Sequence, residues 1–327
     1  MSEVAVDSAA NQGQIPVYCW NLKSGIRRSS AFEEKKLAGF GINVGLACGH
    51  QCSYCSSRPM MRCHEAFQEL GLSPYEEGYA IVDPCTVKRV RQDARRKRKR
   101  GMVMLSSATD AWSPEARHYD IGRGCLKAVL QEPDWTLRVL TKNAAVREDF
   151  DILKKHAGRV LVGLSTTFLP LDEPAASAVE PHASSPAERL RVLRRARIEG
   201  LRTYGMLSPV IPPFFNTLSK VESAFRSLLP IEPEEIFVEP LNPRGRGLIR
   251  TSRRLREAGL CRKAEEVNRL RSQSAWSRES RKLIERVIEA ADRLYERDRL
   301  RVLVYGSSFT DRDRKALKQI GSGLVWL

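Results

Sequence analysis

The chain has 327 residues, 42% of them hydrophobic and 29% charged, with 55 Lys and Arg against 39 Asp and Glu and a formal net charge of +16. That length allows one barrel-sized domain or two small ones, and the balance is that of a globular protein rather than a disordered or fibrous one. No run approaches the roughly 18 apolar residues that a bilayer span needs, and eight cysteines are too few for a disulfide scaffold of this size.

Met1 to Pro16 carries Glu3 and Asp7 and no apolar stretch of secretory type, so a cytoplasmic location without membrane attachment is the expectation. Residues 1–36 read as an N-terminal tail and extension, 37–247 as the core, and 248–327 as a helical C-terminal extension. From Phe40 to Ala47 a strand runs straight into a cysteine loop. Met102 to Ser107 (MVMLSS) is too short for a helix and predicts a buried strand. Ser113-Pro114-Glu115 opens a helix to about Leu130. Strands follow at Thr136–Leu140 and Val160–Leu164, with a helix over Val146–His156 between them.

Ser185 and Glu188 form a capping box with Pro186 at the first helical position. Leu190, Leu193 and Ala196 make the apolar face of that helix, and Gly200 ends it. Further strands are expected at Leu201–Leu207 and Glu235–Val238, a helix at Leu218–Leu229, and two long helices between Ser252 and Arg299. Arg301–Tyr305 predicts one more strand. Strands alternating with helices imply a parallel sheet covered by helices. About six such units predict an α/β fold, a partial (β/α)6 TIM-type barrel with a C-terminal helical extension. In such barrels chemistry sits in the loops after the strands, which is where the cysteine loop falls.

That loop reads Cys48-Gly-His-Gln-Cys52-Ser-Tyr-Cys55. Three thiolates in eight residues can grip one corner of a 4Fe–4S cubane, which ordinarily takes four cysteines. With three, one iron keeps an open site that a small molecule can chelate through amino and carboxylate groups. A zinc site using these thiols with Cys63, His50 or His64 is the alternative, although zinc ligands usually come as paired couples.

The spacing C-x3-C-x2-C with an aromatic, Tyr54, before the last cysteine resembles the signature of the radical S-adenosylmethionine (SAM) superfamily. The resemblance implies a reduced cluster that splits SAM into methionine and a hydrogen-abstracting 5′-deoxyadenosyl radical, fed by a flavodoxin- or ferredoxin-type electron donor. Over residues 37–247 the chain also resembles the spore photoproduct lyase-like, or DNA repair photolyase-like, group. The pieces that carry this are Gly39-Phe40-Gly41-Ile42-Asn43, Ser106-Ser107-Ala108-Thr109-Asp110, Leu140-Thr141-Lys142-Asn143, Val162-Gly163-Leu164-Ser165-Thr166, Glu180-Pro181 with Pro186 and Glu188-Arg189-Leu190, Pro209-Val210-Ile211-Pro212 and Glu239-Pro240-Leu241-Asn242-Pro243-Arg244-Gly245, in that order.

The resemblance implies metal ligation by Cys48, Cys52 and Cys55. It implies SAM binding by Tyr54, Ser107, Thr109, Lys142 and Ser165, with Lys142 pairing the SAM carboxylate. Asp110 is a candidate catalytic residue. The lyases carry a hydrogen-donating cysteine where this chain has Ser107, and a serine O–H bond is far too strong to replace a thiol S–H. Repair of the spore thymine dimer is therefore not expected, and Cys63 and Cys125 become candidate hydrogen donors.

Lys88 to Arg100 (KRVRQDARRKRKR) holds nine basic residues and one Asp. The net charge favours a polyanion, most commonly nucleic acid. Arg95, Arg96, Lys97, Arg98 and, near the barrel's end, Arg244 are candidate contacts for a nucleic acid or nucleotide substrate. A solvated basic face accounts for the same residues. A radical SAM enzyme acting on a peptide or small metabolite, and a zinc-stabilised nucleic-acid-binding protein, are the other readings the sequence allows.

Overall fold

The computed structural model describes residues 15–23, 25–106, 108–243, 245–294 and 296–327. The architecture is α/β, an open partial barrel of parallel strands with helices outside. Its strands are β1 (Phe40–Ile42), β2 (Met102–Leu105), β3 (Thr136–Thr141), β4 (Val160–Leu164), β5 (Gly205–Val210), β6 (Ile236–Pro240), β7 (Leu300–Val304) and β8 (Leu324–Trp326). β1 to β4 pair in sequence order, all parallel. β5 to β8 do the same. Arg202–Thr203, just before β5, pairs parallel with Leu161–Val162 on β4, and a parallel bridge from Ser165 to Met206 follows where β4 ends, so the two runs join there. Ile26–Arg28 adds an antiparallel strand outside β1, and among the described residues no pairing joins it to β8.

β1 to β6 are the six strands expected. Their side chains alternate between two apolar environments, as the period of two demands. Met104, Leu161, Met206, Phe237 and Leu303 point into one buried cluster inside the barrel. Val103, Leu105, Val139, Val162, Val238 and Val302 belong to the larger core beneath the helices. Burial on both faces is why these strands appear in the sequence as largely apolar runs, with Arg138 on β3 and Glu239 on β6 as charged exceptions. The helix Ser30–Glu34 packs beside β1, and Leu37 and Ala38 just after it share the interior cluster.

Three local expectations change. The strand read from Phe40 to Ala47 divides, because Asn43 Nδ2 donates to Gly45 O at 2.6 Å and turns the chain. Gly45–Ala47 then joins a separate small sheet with Ala80–Val82 and Val17–Cys19. A Cβ on Gly45 would stand 2.1 Å from Ile81 O, so only glycine allows that approach. The helix expected from Ser113 breaks into Pro114–His118 and Ile121–Leu130 at Asp120, whose φ of 50° is left-handed. Between residue 246 and β7 the described residues form three helices, Gly247–Glu257, Cys261–Arg269 and Gln273–Arg293, and the chain then returns to the sheet as β7 and, after the helix Asp311–Lys318, β8.

Candidate active site

The cysteine loop leaves the buried strand Gly45–Ala47 and is braced from three sides. Gln51, at φ 53°, donates from Nε2 to Cys48 O (2.9 Å) and Tyr79 O (2.8 Å) and accepts from Gly78 N (2.8 Å). Gly49 N donates to the buried Glu115 at 2.9 Å, and a Cβ on Gly49 would lie 2.1 Å from the same carboxylate. Burial pushes the Glu115 carboxyl up to about 7, against the pull of Ser113 and Gly49. From the far side Arg250 donates to Ser53 O and Cys55 O, each at 2.9 Å, and pairs with Glu77 at 3.2 Å. Arg250 is 5% exposed and holds the loop in place.

Cys48, Cys52 and Cys55 are all partly exposed. Burial, then Glu115 and Asp110, raises the Cys48 thiol, and burial, then Glu180, raises the Cys52 thiol to about 12. Both therefore keep their protons until a metal displaces them. Among the described residues no three His, Cys, Asp or Glu side chains converge on one metal-ion position. A cubane takes one thiolate per iron and needs no such convergence. Beside the thiols, the buried His50 has Nδ1 3.4 Å from Asp110 Oδ2 and, among the described residues, an Nε2 without a hydrogen-bond partner. A group arriving from outside the chain is what such an unmatched atom fits.

The strand ends converge on the same place. Asp110, after β2, accepts from Thr141 Oγ1 (2.7 Å), Lys142 N (2.8 Å) and Trp112 N (2.9 Å). It ties the ends of β2 and β3 to the cysteine loop through His50, so its oxygens are committed to structure. Thr109 donates through its hydroxyl to Asn43 Oδ1 at 3.0 Å, which joins β2 to β1. Lys142 Nζ donates to Ser165 Oγ at 2.6 Å and Ser208 O at 3.2 Å, and lies 5.7 Å from the centre of the Tyr54 ring. Tyr54, Thr109, Lys142 and Ser165 thus meet at one mouth with the cysteine loop. Ser107 and Arg244 lie outside the described residues.

Beneath them is a buried network that sequence reading left without a role. Glu180 accepts from Arg189 and from the Tyr54 hydroxyl. Arg189, 1% exposed, also donates to Ser165 O at 2.9 Å and Ser184 O at 2.7 Å. Burial pushes the Glu180 carboxyl up, but Arg189 and Lys142 outweigh it and hold it below the ordinary carboxylate value. Both residues were visible only as landmarks in the ordered pieces. The signal that two charges so near in sequence pair inside the core is not local.

Inside the barrel Glu239, on β6, accepts from Lys35 (2.9 Å), Ser208 Oγ (2.8 Å) and the Tyr305 hydroxyl. Burial raises the Glu239 carboxyl, but Lys35, Tyr305 and Ser208 outweigh it and hold it below 4.5. A carboxylate depressed in the folded state contributes stability that is full above its unfolded pKa and lost as pH falls through the folded one. Urea-unfolding midpoints measured from pH 7 down to about pH 3 are therefore expected to fall less steeply in Glu239→Gln than in the parent. Parallel acid limbs in the two proteins would contradict the assignment.

Other candidates stand elsewhere. Cys63 is exposed and lines an open cleft of about 580 Å³ with Phe32, Gly41, Asn43 and Met61, on the β1 side of the mouth. Cys125 is fully buried in the helix layer, its thiol pushed up to about 12 by burial, and does not reach a strand end. Arg95, Arg96, Lys97 and Arg98 lie away from the mouth, near the ends where strands begin. Trp135, just before β3, donates to Ala94 O at 3.1 Å, and Arg100 meets Asp134 at 3.5 Å.

No family model matches the chain. It is 27% identical over 214 residues to an uncharacterized protein of Acidianus two-tailed virus, covering 63% of this chain and 68% of that one. A second relative, an uncharacterized protein of Methanocaldococcus jannaschii, is 27% identical over 175 residues, covering 54% and 61%. Among solved structures, a point mutant of spore photoproduct lyase superposes with a TM-score of 0.57 at 12% identity, over 86% of this chain and 80% of that one. A lyase double mutant with bound AdoMet and dinucleoside spore photoproduct gives 0.51 at 13% identity, over 74% and 66%. The chain thus spans just under two thirds of that ligand-bound lyase and of the Methanocaldococcus relative. At these identities the likeness is one of fold, and the chain has the partial-barrel fold seen in spore photoproduct lyase.

Proposed function

We propose that the chain is a radical SAM enzyme, with a 4Fe–4S cluster on Cys48, Cys52 and Cys55 and a nucleic acid base or nucleotide as substrate. The observation that carries it is the meeting of Lys142 with Tyr54, which lies between two of the three cysteines, at 5.7 Å across the barrel mouth. When bound, such a cluster supplies the electron for reductive SAM cleavage, and a flavodoxin- or ferredoxin-type donor would recharge it.

The chain's own residues do the placing. Lys142 has three donors, of which two go to neutral oxygens, and its nearest carboxylate, Glu180, is 4.0 Å away and already engaged by Arg189. A cation held in place and only partly neutralised suits the carboxylate of SAM. Ser165 keeps Lys142 aimed, and Asp110 fixes the strand end that carries it. Thr109 gives its proton to Asn43, which leaves its oxygen lone pairs for an ammonium or hydroxyl donor. The net charge of +16 and the dinucleoside bound by the lyase of like fold support a nucleic acid or nucleotide. Ser107, unable to return hydrogen as a thiol does, argues for an outcome other than spore photoproduct repair.

The test is anaerobic reconstitution with iron, sulfide, SAM and dithionite, with 5′-deoxyadenosine measured with and without DNA, RNA or nucleotides. A brown protein that forms 5′-deoxyadenosine is expected, at a rate raised by the nucleic acid or nucleotide substrate. A colourless protein with zinc and no labile sulfide would end the proposal.

A further inference from the structure

The basic segment does not belong to the mouth, and its placement asks for a partner of its own. Helix Thr86–Arg96 packs Val90 and Ala94 into the core, which turns Lys88, Arg91, Gln92, Arg95 and Arg96 outward. These five line an open surface groove of about 340 Å³. The turn that follows adds the exposed Arg98 and Lys99. Three of the nine cations in the segment have carboxylate partners: Arg89 pairs with Asp83, Arg95 with Glu132 at 3.7 Å, and Arg100 with Glu132 and Asp134. Among the described residues, Lys88, Arg91, Arg96, Lys97, Arg98 and Lys99 make no ion pair at all. The one acid within the segment, Asp93, is spent on the backbone N–H groups of Gly25 and Ile26 at 3.1 and 2.8 Å.

Six like charges crowded without counter-ions repel one another and oppose folding. A polyanion laid along them removes that repulsion and releases its own condensed counterions. No aromatic side chain is interleaved between Lys88 and Arg100, so the face has nothing on which to stack unpaired bases. It is built to read phosphates at high density, and a duplex presents them most densely. Lys88, Arg91 and Arg95 succeed one another along about 10 Å of helix.

We propose that this face is a docking surface for the phosphate backbone of a nucleic acid duplex, separate from the barrel mouth. The proposal rests on the nucleic-acid reading above and deepens it: the substrate is a polymer rather than a free nucleotide. The helix runs down the outside of the barrel, and its cationic end lies beside the N-terminal ends of the strands. A partner touching both that end and the mouth must span at least the height of the strands, about 20 Å. A dinucleotide does not reach that far, whereas a duplex of ten or more base pairs does.

The test compares the full-length reconstituted parent with R91Q/R96Q/R98Q/K99Q by fluorescence anisotropy, at several salt concentrations, on a duplex of about 20 base pairs, a single strand of equal length and a dinucleotide. All four side chains are exposed and unpaired, and removing them relieves their mutual repulsion, so the variant should melt no lower than the parent. The variant is expected to bind the duplex at least about tenfold more weakly, with the slope of log K against log salt reduced by about four. Binding of the dinucleotide should be unchanged, and the parent should prefer duplex to single strand. Equal duplex binding by parent and variant overturns the proposal, as does an unchanged salt slope, a preference for the single strand, or displacement of the duplex by polyglutamate at matched charge. SAM cleavage without nucleic acid is read in parallel. If it is absent from both proteins while duplex binding depends on the four cations, the radical SAM reading fails and the docking surface stands.

Discussion

Cys52→Ala is expected to abolish reductive SAM cleavage, taking 5′-deoxyadenosine from clear formation in the reconstituted parent to the background of a sample without iron. Changes to residues that merely support a metal ligand cost 10–100-fold, so loss of a ligand itself should exceed about 100-fold. Cys52 is the middle thiol of the loop and sits against the core, with Cys55 N donating to its carbonyl at 3.0 Å. That bond belongs to the backbone and survives the substitution, as do the braces through Gln51, Gly49 and Arg250. The apo variant should therefore melt close to the apo parent while its iron and labile sulfide fall. Cys85→Ala and Cys261→Ala, exposed thiols outside the loop, should keep both cluster and activity. A Cys52→Ala protein that retains a full iron complement and cleaves SAM would remove the basis for assigning the loop to a cluster.

How far the sequence could carry this depends on how local each signal is. β1 to β6 were legible because strands buried on both faces leave short, largely apolar runs. β8 was not: Leu324–Trp326 is three residues long, partly exposed, and a strand only because β7 offers it an edge. That Lys142 and Ser165 end strands beside the cysteine loop was legible because strand-end position is a property of the chain itself, while their roles came from the resemblance. The braces were not, since each depends on a distant partner. Nothing in the sequence around Arg250 points to Glu77 or to the two loop carbonyls that surround it, and Lys35 and Glu239 lie 204 residues apart. For Arg95 to Arg98 the charge was obvious and the location was not, because composition says nothing about which end of a barrel a helix terminus reaches.

The second large effect is expected at Glu180. Glu180→Ala leaves the Arg189 guanidinium, 1% exposed, without its counter-charge in a region where water cannot replace it. Removing one partner of a buried pair costs about 3–5 kcal/mol, well above the 0–1 kcal/mol typical of a surface pair such as Arg278 with Glu279. The Tyr54 hydroxyl loses an acceptor too, and among the described residues keeps Thr167 at 3.1 Å. Urea unfolding should show the loss as a lower midpoint. The cost comes from the stranded charge more than from the missing bond, so removing both charges should restore part of it: Glu180→Met with Arg189→Met is expected to be more stable than Glu180→Ala alone. Function should not return with stability, because Arg189 also fixes the Ser165 carbonyl at 2.9 Å and, through that strand end, the hydroxyl that aims Lys142. A Glu180→Ala protein within about 1 kcal/mol of the parent, or a double variant as competent in SAM binding as the parent, would mean that the pair does not hold the mouth together.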